Sequence, residues 1–424
     1  MEVVAFMRAE SHPGICQAKR EDAAWPLGPR RRRMTEAQLM YLIAGEPSGD
    51  LLGARLMAAL REQVGGQVGF AGVGGEEMAE QGLRSLFPLS DVAVMGLLEV
   101  LPKAPRILRR VRETVADVER LRPAALVTID SWGFTGRVAK RLKAAGSRTP
   151  RIHYVAPMVW AWRPGRARQL ADRLDHLLCL LPNEPPYFEA VGLPATHVGH
   201  AVVESGAERG NGPAFRRRHG IEPAAPLLCL LPGSRSSETA RLLPVFDRTV
   251  RLLDRRHPGL RTVIPTVDTV AEQVARAAER LGALVVRGRA EKYDAFAAAD
   301  VALAASGTVA LELALAGLPA VITYKVSPLT ALIGRRLLRV RHVSLVNILL
   351  DRQAVPELLQ ERCRPDLLAE AVSALLTDEA GRAAQREAGR EALRRLGYGG
   401  PSPSARAARI ILDIVERWPL PAGA

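Results

Sequence analysis

Short apolar runs alternate with segments of helical period along most of the chain, and halfway through the alternation starts afresh. The first set opens at residues 39–44 and passes through the turn Gly45-Glu46-Pro47-Ser48-Gly49-Asp50. Leu52, Leu56, Leu60 and Val64 then fall on one helix face. Further apolar runs stand at 68–73, 124–129, 152–156, 176–181 and 196–198, and Val111, Val115 and Val118 mark a helix within 107–121. The second set begins at 227–231 with a helix to about residue 257, and continues at 260–264, 283–286, 301–304 and 320–324. Strands that are apolar throughout, separated by helices, predict parallel sheets covered on both faces.

A chain of 424 residues is too long for one core. The expected organisation is two Rossmann-like α/β domains, 34–204 and 205–385, joined through the polar, glycine-containing stretch 204–213, with closing helices at 386–424. Residues 1–33 lack periodicity and end in Arg30-Arg31-Arg32-Arg33 before Met34, which reads as a disordered extension or a start assigned too early.

Lys and Arg number 59 against 45 Asp and Glu, a net charge of +14. Such an excess favours an anionic partner, or is simply the solvated surface of an arginine-rich protein. Nucleic acid is not expected, because the basic residues are not interleaved with aromatics. Cys16, Cys179, Cys229 and Cys363 have neither disulfide nor metal-ligand spacing, which suits a reducing cytoplasm. No apolar run is long enough to span a bilayer.

In parallel sheets ligands bind beyond the carboxyl ends of strands, where helix N-termini offer unpaired N–H groups. Five loops stand out there. The Gly45–Asp50 turn can cradle an anion or a sugar, or Ser48 or Asp50 can cap the following helix. Asp130 ends an apolar strand, where it can act as a general base or cap a helix beginning near Phe134. Ser234 and Arg235 open a helix, where a guanidinium fork beside backbone N–H groups suits a diphosphate, or Arg235 is a surface residue near a turn. Ser306, Gly307 and Thr308 allow close backbone approach, with Glu312 in the first turn that follows, either an acid in need of a partner, such as a ribose diol, or a charge that complements the helix dipole. Asn347, an amide among apolar residues, either binds a ligand or closes a turn.

Ten stretches together resemble the lipid-A-disaccharide synthase family, in order from about Leu39 to Leu368. They are AGEPSGD (44–50), GVGGEEM (72–78), VMGLLEVL (94–101), HYVAPMVWAWRPGR (153–166), PNEPPYF (182–188), THVGHAVV (196–203), LLPGSRSSE (230–238), ASGTVALELALAGLPAVITYK (305–325), VSLVNILL (343–350) and VPELLQERC (355–363). The resemblance implies a GT-B architecture, two Rossmann-like domains facing a central cleft. It implies an inverting transfer of 2,3-diacylglucosamine from UDP to 2,3-diacylglucosamine 1-phosphate, with no cofactor and no metal. Asp130 matches the family's essential aspartate. Arg235, Glu312 and Asn347 match its nucleotide side, with Ser234, Ser306, Gly307 and Thr308 around them, and Glu46 and Ser48 match its sugar-facing loop. The family usually reads Ile-Asp-x-Pro-Asp-Phe where this chain has Ile129-Asp130-Ser131-Trp132-Gly133-Phe134, so the second aspartate is absent.

Acylated substrates need an apolar berth, for which Val94, Met95, Leu97 and Leu98 are the candidates if they are not core. Arg335, Arg336, Arg339 and Arg341 are equally a solvated basic face or a contact for anionic headgroups. The implied setting is peripheral, on the cytoplasmic face of the inner membrane, as a monomer or a homodimer. Two other readings stay open: another UDP-sugar transferase of the same fold, such as the undecaprenyl-linked N-acetylglucosaminyltransferase of peptidoglycan synthesis, and a catalytically impaired nucleotide-sugar-binding homologue.

Overall fold

The computed structural model describes residues 38–66, 68–93, 97–161, 164–327, 330–331 and 341–419. The readings made above for residues 1–33, for Val94 and Met95, for the side chains of Leu97 and Leu98, and for Arg335, Arg336 and Arg339 lie outside them.

Two six-stranded sheets, parallel throughout, carry the fold. The first comprises β1 (Gln38–Ala44), β2 (Val68–Val73), β3 (Ala125–Ile129), β4 (Arg151–Tyr154), β5 (His176–Cys179) and β6 (Ala195–His197), in the order β2-β1-β3-β4-β5-β6. The second comprises β7 (Leu227–Leu231), β8 (Arg261–Thr266), β9 (Leu284–Arg287), β10 (Val301–Ala305), β11 (Ala320–Tyr324) and β12 (Glu357–Leu359), in the order β12-β11-β10-β7-β8-β9. Central strands are buried on both faces, as their unbroken apolar runs require: Met40 to Ala44, Leu227 to Leu230 and Val301 to Ala304 have no exposed surface. Each large aliphatic side chain so buried stabilises the fold by about 1.5–3 kcal/mol.

Both sheets reverse their strand order once, at β1/β3 and at β7/β10. There the connections on either side run to opposite faces and leave a crevice at the strand ends, where parallel sheets bind ligands.

The stretch 204–213 is fastened rather than loose. Gly210 and Gly212 lie against the carbonyls of Tyr293 and Ala297, so closely that an added Cβ would come within 2.0 and 2.3 Å of their oxygens. The chain returns to the first sheet at its end. Helix Pro403–Arg417 lies on helix Pro47–Gln63, and Ala407, Ile411 and Val415 join Leu56 and Leu60 in one cluster. The polypeptide therefore crosses between the sheets twice, outward after β6 and back after helix Glu379–Arg395. Arg406 ties the two crossings together, its guanidinium donating to the Leu396 carbonyl and filling the space beside Gly199 and Gly397. Ser404 adds a hydrogen bond to Glu204 at 2.9 Å. Among the described residues no helix is long and apolar enough to cross a membrane.

Candidate active site at the two switch points

Four of the five sequence-selected loops follow the strands at the switch points: Glu46 and Ser48 follow β1, Asp130 follows β3, Ser234 and Arg235 follow β7, and Ser306, Gly307 and Thr308 follow β10. Asp130 and Ser131 both hold left-handed backbone, with φ of 52° and 45°. For residues other than glycine this is strained by about 1–3 kcal/mol each, and such strain gathers at functional sites. Hydrogen bonds keep it in place. The Asp130 N–H donates to the Tyr154 carbonyl at 2.9 Å, and the Thr135 hydroxyl donates to the Asp130 carbonyl at 3.0 Å. The helix begins at Trp132, not near Phe134, and its N-cap residue, Ser131, makes no side-chain cap. The Asp130 carboxylate accepts from the Ser131 N–H at 2.7 Å, so its place is the turn at the sheet edge and not the cap of the helix.

The first loop meets this turn through Gly45. A Cβ there would lie 2.2 Å from the Ser131 Cβ, so only glycine lets the two loops touch. Ser48 is exposed. Asp50 is a cap, but for a different helix: buried, it accepts from the N–H groups of Gly75, Glu77 and Met78 and so starts helix Glu76–Glu80.

The Glu46 carboxyl is held above the usual carboxylate range by burial first and by the neighbouring Asp130 charge second, while Arg235 opposes the rise. That guanidinium follows β7 of the other sheet, so the Glu46 carboxyl lies within electrostatic reach of Asp130 on its own sheet and of Arg235 on the other. Arg235 donates to Glu238 at 3.1 Å, and the Tyr324 hydroxyl donates to the same carboxylate oxygen at 3.1 Å. The Ser234 carbonyl accepts from Thr269 at 3.0 Å. On the neighbouring strand, Gly307 and Thr308 are exposed just before helix Val309–Leu315, and the Ser306 hydroxyl donates to the Val343 carbonyl at 3.3 Å.

Two sequence readings need correction. Glu312 does not lack a partner: Lys292 donates to both its carboxylate oxygens at 3.0 Å, and the Tyr293 hydroxyl to one of them at 3.2 Å. Asn347 is fully buried and saturated, leaving nothing for a ligand. Its amide donates to the Val355 carbonyl and to Glu357, and its oxygen accepts from the N–H groups of Ala354 and Val355. Glu357 also accepts from the N–H groups of Val343 and Ser344, so Asn347 and Glu357 shape the segment that Ser306 touches. Asn347→Ala is expected to lower stability by about 2–4 kcal/mol, because two buried N–H groups and a carboxylate lose partners. A lower urea midpoint with an unchanged slope is the expected reading, and an unmoved midpoint would refute it.

Sequence reasoning passed over three other features. Val155, after β4, has a φ of 82°, a strained conformation for a β-branched residue. Glu184, in the PNEPPYF stretch, accepts from the N–H groups of Leu180 and Leu181 at 3.0 Å and from the Trp160 indole at 3.4 Å. Burial pushes its carboxyl up to about 7 against those hydrogen bonds. Trp160, Ala161 and Leu181, from the first half of the chain, join the apolar cluster of the second sheet.

The family model described as Lipid-A-disaccharide synthetase matches residues 40–406. The chain belongs to the lipid-A-disaccharide synthase family. The lipid-A-disaccharide synthase of Paramagnetospirillum magneticum is 61% identical over 383 residues, covering 89% of this chain and 98% of that one. That of Rhodospirillum centenum is 58% identical over 381 residues, covering 89% and 95%. The crystal structure of MurG from Acinetobacter baumannii superposes with a TM-score of 0.53 at 15% identity, over 88% of this chain and 99% of that one. That likeness is one of fold, and with the two parallel sheets it makes the architecture GT-B. As a lipid-A-disaccharide synthase family member the chain is a glycosyltransferase of lipid A biosynthesis, not a UDP-sugar transferase of another pathway.

Proposed function

We propose that the chain transfers 2,3-diacylglucosamine from its UDP derivative to the 6-hydroxyl of 2,3-diacylglucosamine 1-phosphate, with inversion at the anomeric carbon. The observation that carries this reading is that the loops of Glu46 and Asp130, in contact through Gly45 and Ser131, follow the switch-point strands of one sheet, while Arg235 follows the switch-point strand of the other. Asp130 takes the acceptor's proton while the hydroxyl oxygen attacks the anomeric carbon. UDP leaves from the opposite face, and the charge growing on its diphosphate is met by Arg235 and by the N–H groups that open helices Ser236–Arg256 and Val309–Leu315. Ser234, Ser306, Gly307 and Thr308 line that side. Glu46 and Ser48 face the sugars. Glu312, held by Lys292 and Tyr293, supports the nucleotide side, and Asn347 acts only through the loop it shapes.

This chemistry uses no divalent cation, and both substrates are acylated, so the protein works on the cytoplasmic face of the inner membrane. The excess of 59 basic over 45 acidic residues supports that setting. The direct test supplies both substrates to the purified protein, with and without a chelator. A β-1,6-linked disaccharide 1-phosphate at equal rates is the expected result. No product, or strict dependence on magnesium or manganese, would sink the proposal.

A further inference from the structure

A cavity of about 550 Å³ lies in the groove between helices Trp132–Ala144 and Arg166–Ala171, the first of which begins two residues after Asp130. Arg137 and Lys140 line it from one helix, Arg166 and Arg173 from the second helix and its end, and no carboxylate lines it. Trp132, two residues beyond Asp130, walls the near end, with the Arg173 guanidinium 5.7 Å from the centre of its ring. Arg137 and Arg173 donate to the carbonyls of Gly133 and Gly136, which fixes them without neutralising them. Among the described residues, Arg137, Lys140 and Arg173 have no carboxylate partner. Like charges gathered around a concavity repel one another, and an anion of more than one charge relieves that repulsion.

We propose that this groove is a phosphomonoester site that seats the anomeric phosphate of the acceptor. The inference rests on the reading of Asp130 as the base. The acceptor's 6-hydroxyl and its phosphate stand at opposite ends of one pyranose ring. A protein that takes a proton from one end needs an anion site about one sugar away, and the groove starts at the residues next to the base. Guanidinium forks suit phosphate oxygens, and Lys140 adds a point charge. The site therefore tells a phosphorylated acceptor from its dephosphorylated counterpart and fixes which hydroxyl reaches Asp130.

The test compares transfer to 2,3-diacylglucosamine 1-phosphate with transfer to 2,3-diacylglucosamine, in the parent protein and in the double variant Arg137→Ala/Lys140→Ala. The expected result is an acceptor KM raised about tenfold or more, an unchanged KM for the UDP-sugar, and a preference for the phosphorylated acceptor that falls towards one. Lys140→Arg alone should keep most of that preference. An unchanged acceptor KM and preference would overturn the groove. If Asp130→Asn were still inactive, the base assignment would survive that failure. Inorganic phosphate provides a reading without variants: it should inhibit the parent protein competitively against the acceptor and not against the donor, and the reverse pattern would overturn the proposal. Phosphatidylcholine vesicles with and without phosphatidylglycerol separate the other source of the same chemistry. A double variant that loses binding to the anionic vesicles but keeps its preference would show that the groove holds headgroups, and the proposal would fall.

Discussion

Asp130→Asn should lower transfer on the order of 10²–10⁴-fold, the range typical for removal of a general base. The acceptor hydroxyl is a poor nucleophile until its proton is taken, and an amide cannot take it. The substitution is informative because so much else stays in place. Asparagine tolerates the left-handed backbone of this turn about as well as aspartate does, and its carbonyl oxygen can still accept from the Ser131 N–H. Steady-state rates should collapse while the urea midpoint and UDP affinity hold. An Asp130→Asn protein with most of its activity would move the base elsewhere.

Arg235→Ala should lower kcat by on the order of 10²–10³, the loss seen when one pre-placed donor to a growing negative charge is removed. The UDP-sugar KM should change much less, because the diphosphate gains charge only as the glycosidic bond breaks. The residue is well placed for that task. Its side chain is mostly exposed, and Glu238, itself held by Tyr324, pairs with it. Arg235→Lys should recover part of the rate, since an ammonium supplies charge without the fork. Loss confined to KM would mean that Arg235 binds the ground state and that the leaving group is stabilised by backbone N–H groups alone.

The architecture was legible because parallel strands buried on both faces must be apolar throughout, and the two sets of such runs stand in plain sequence. The places of Glu46, Asp130, Ser234, Arg235 and Ser306 were legible for the related reason that loops after such strands open on the crevice. What lay hidden were partners brought in by tertiary packing. Nothing near Glu312 in sequence announces Lys292, and nothing near Asn347 says that the turn to Val355 will use its whole amide. Asp50 looks like a cap for its own helix, yet the fold carries it to another. Strand β12, three residues long, is too short to leave a period. The groove was invisible because Arg137 lies on one helix and Arg173 just past the end of another.

The return of helix Pro403–Arg417 to the first sheet sets an order of assembly during synthesis. The second sheet and the described helices packed on it lie in one run from Gly212 to Arg395, so that half can close as soon as its own residues have emerged from the ribosome. The first half is made earlier but finishes later, because Leu56 and Leu60 receive their cover only when Ala407, Ile411 and Val415 arrive. Until then its apolar flank stands open, a hazard for a nascent chain. The first half is thus sealed by a stretch made after the second.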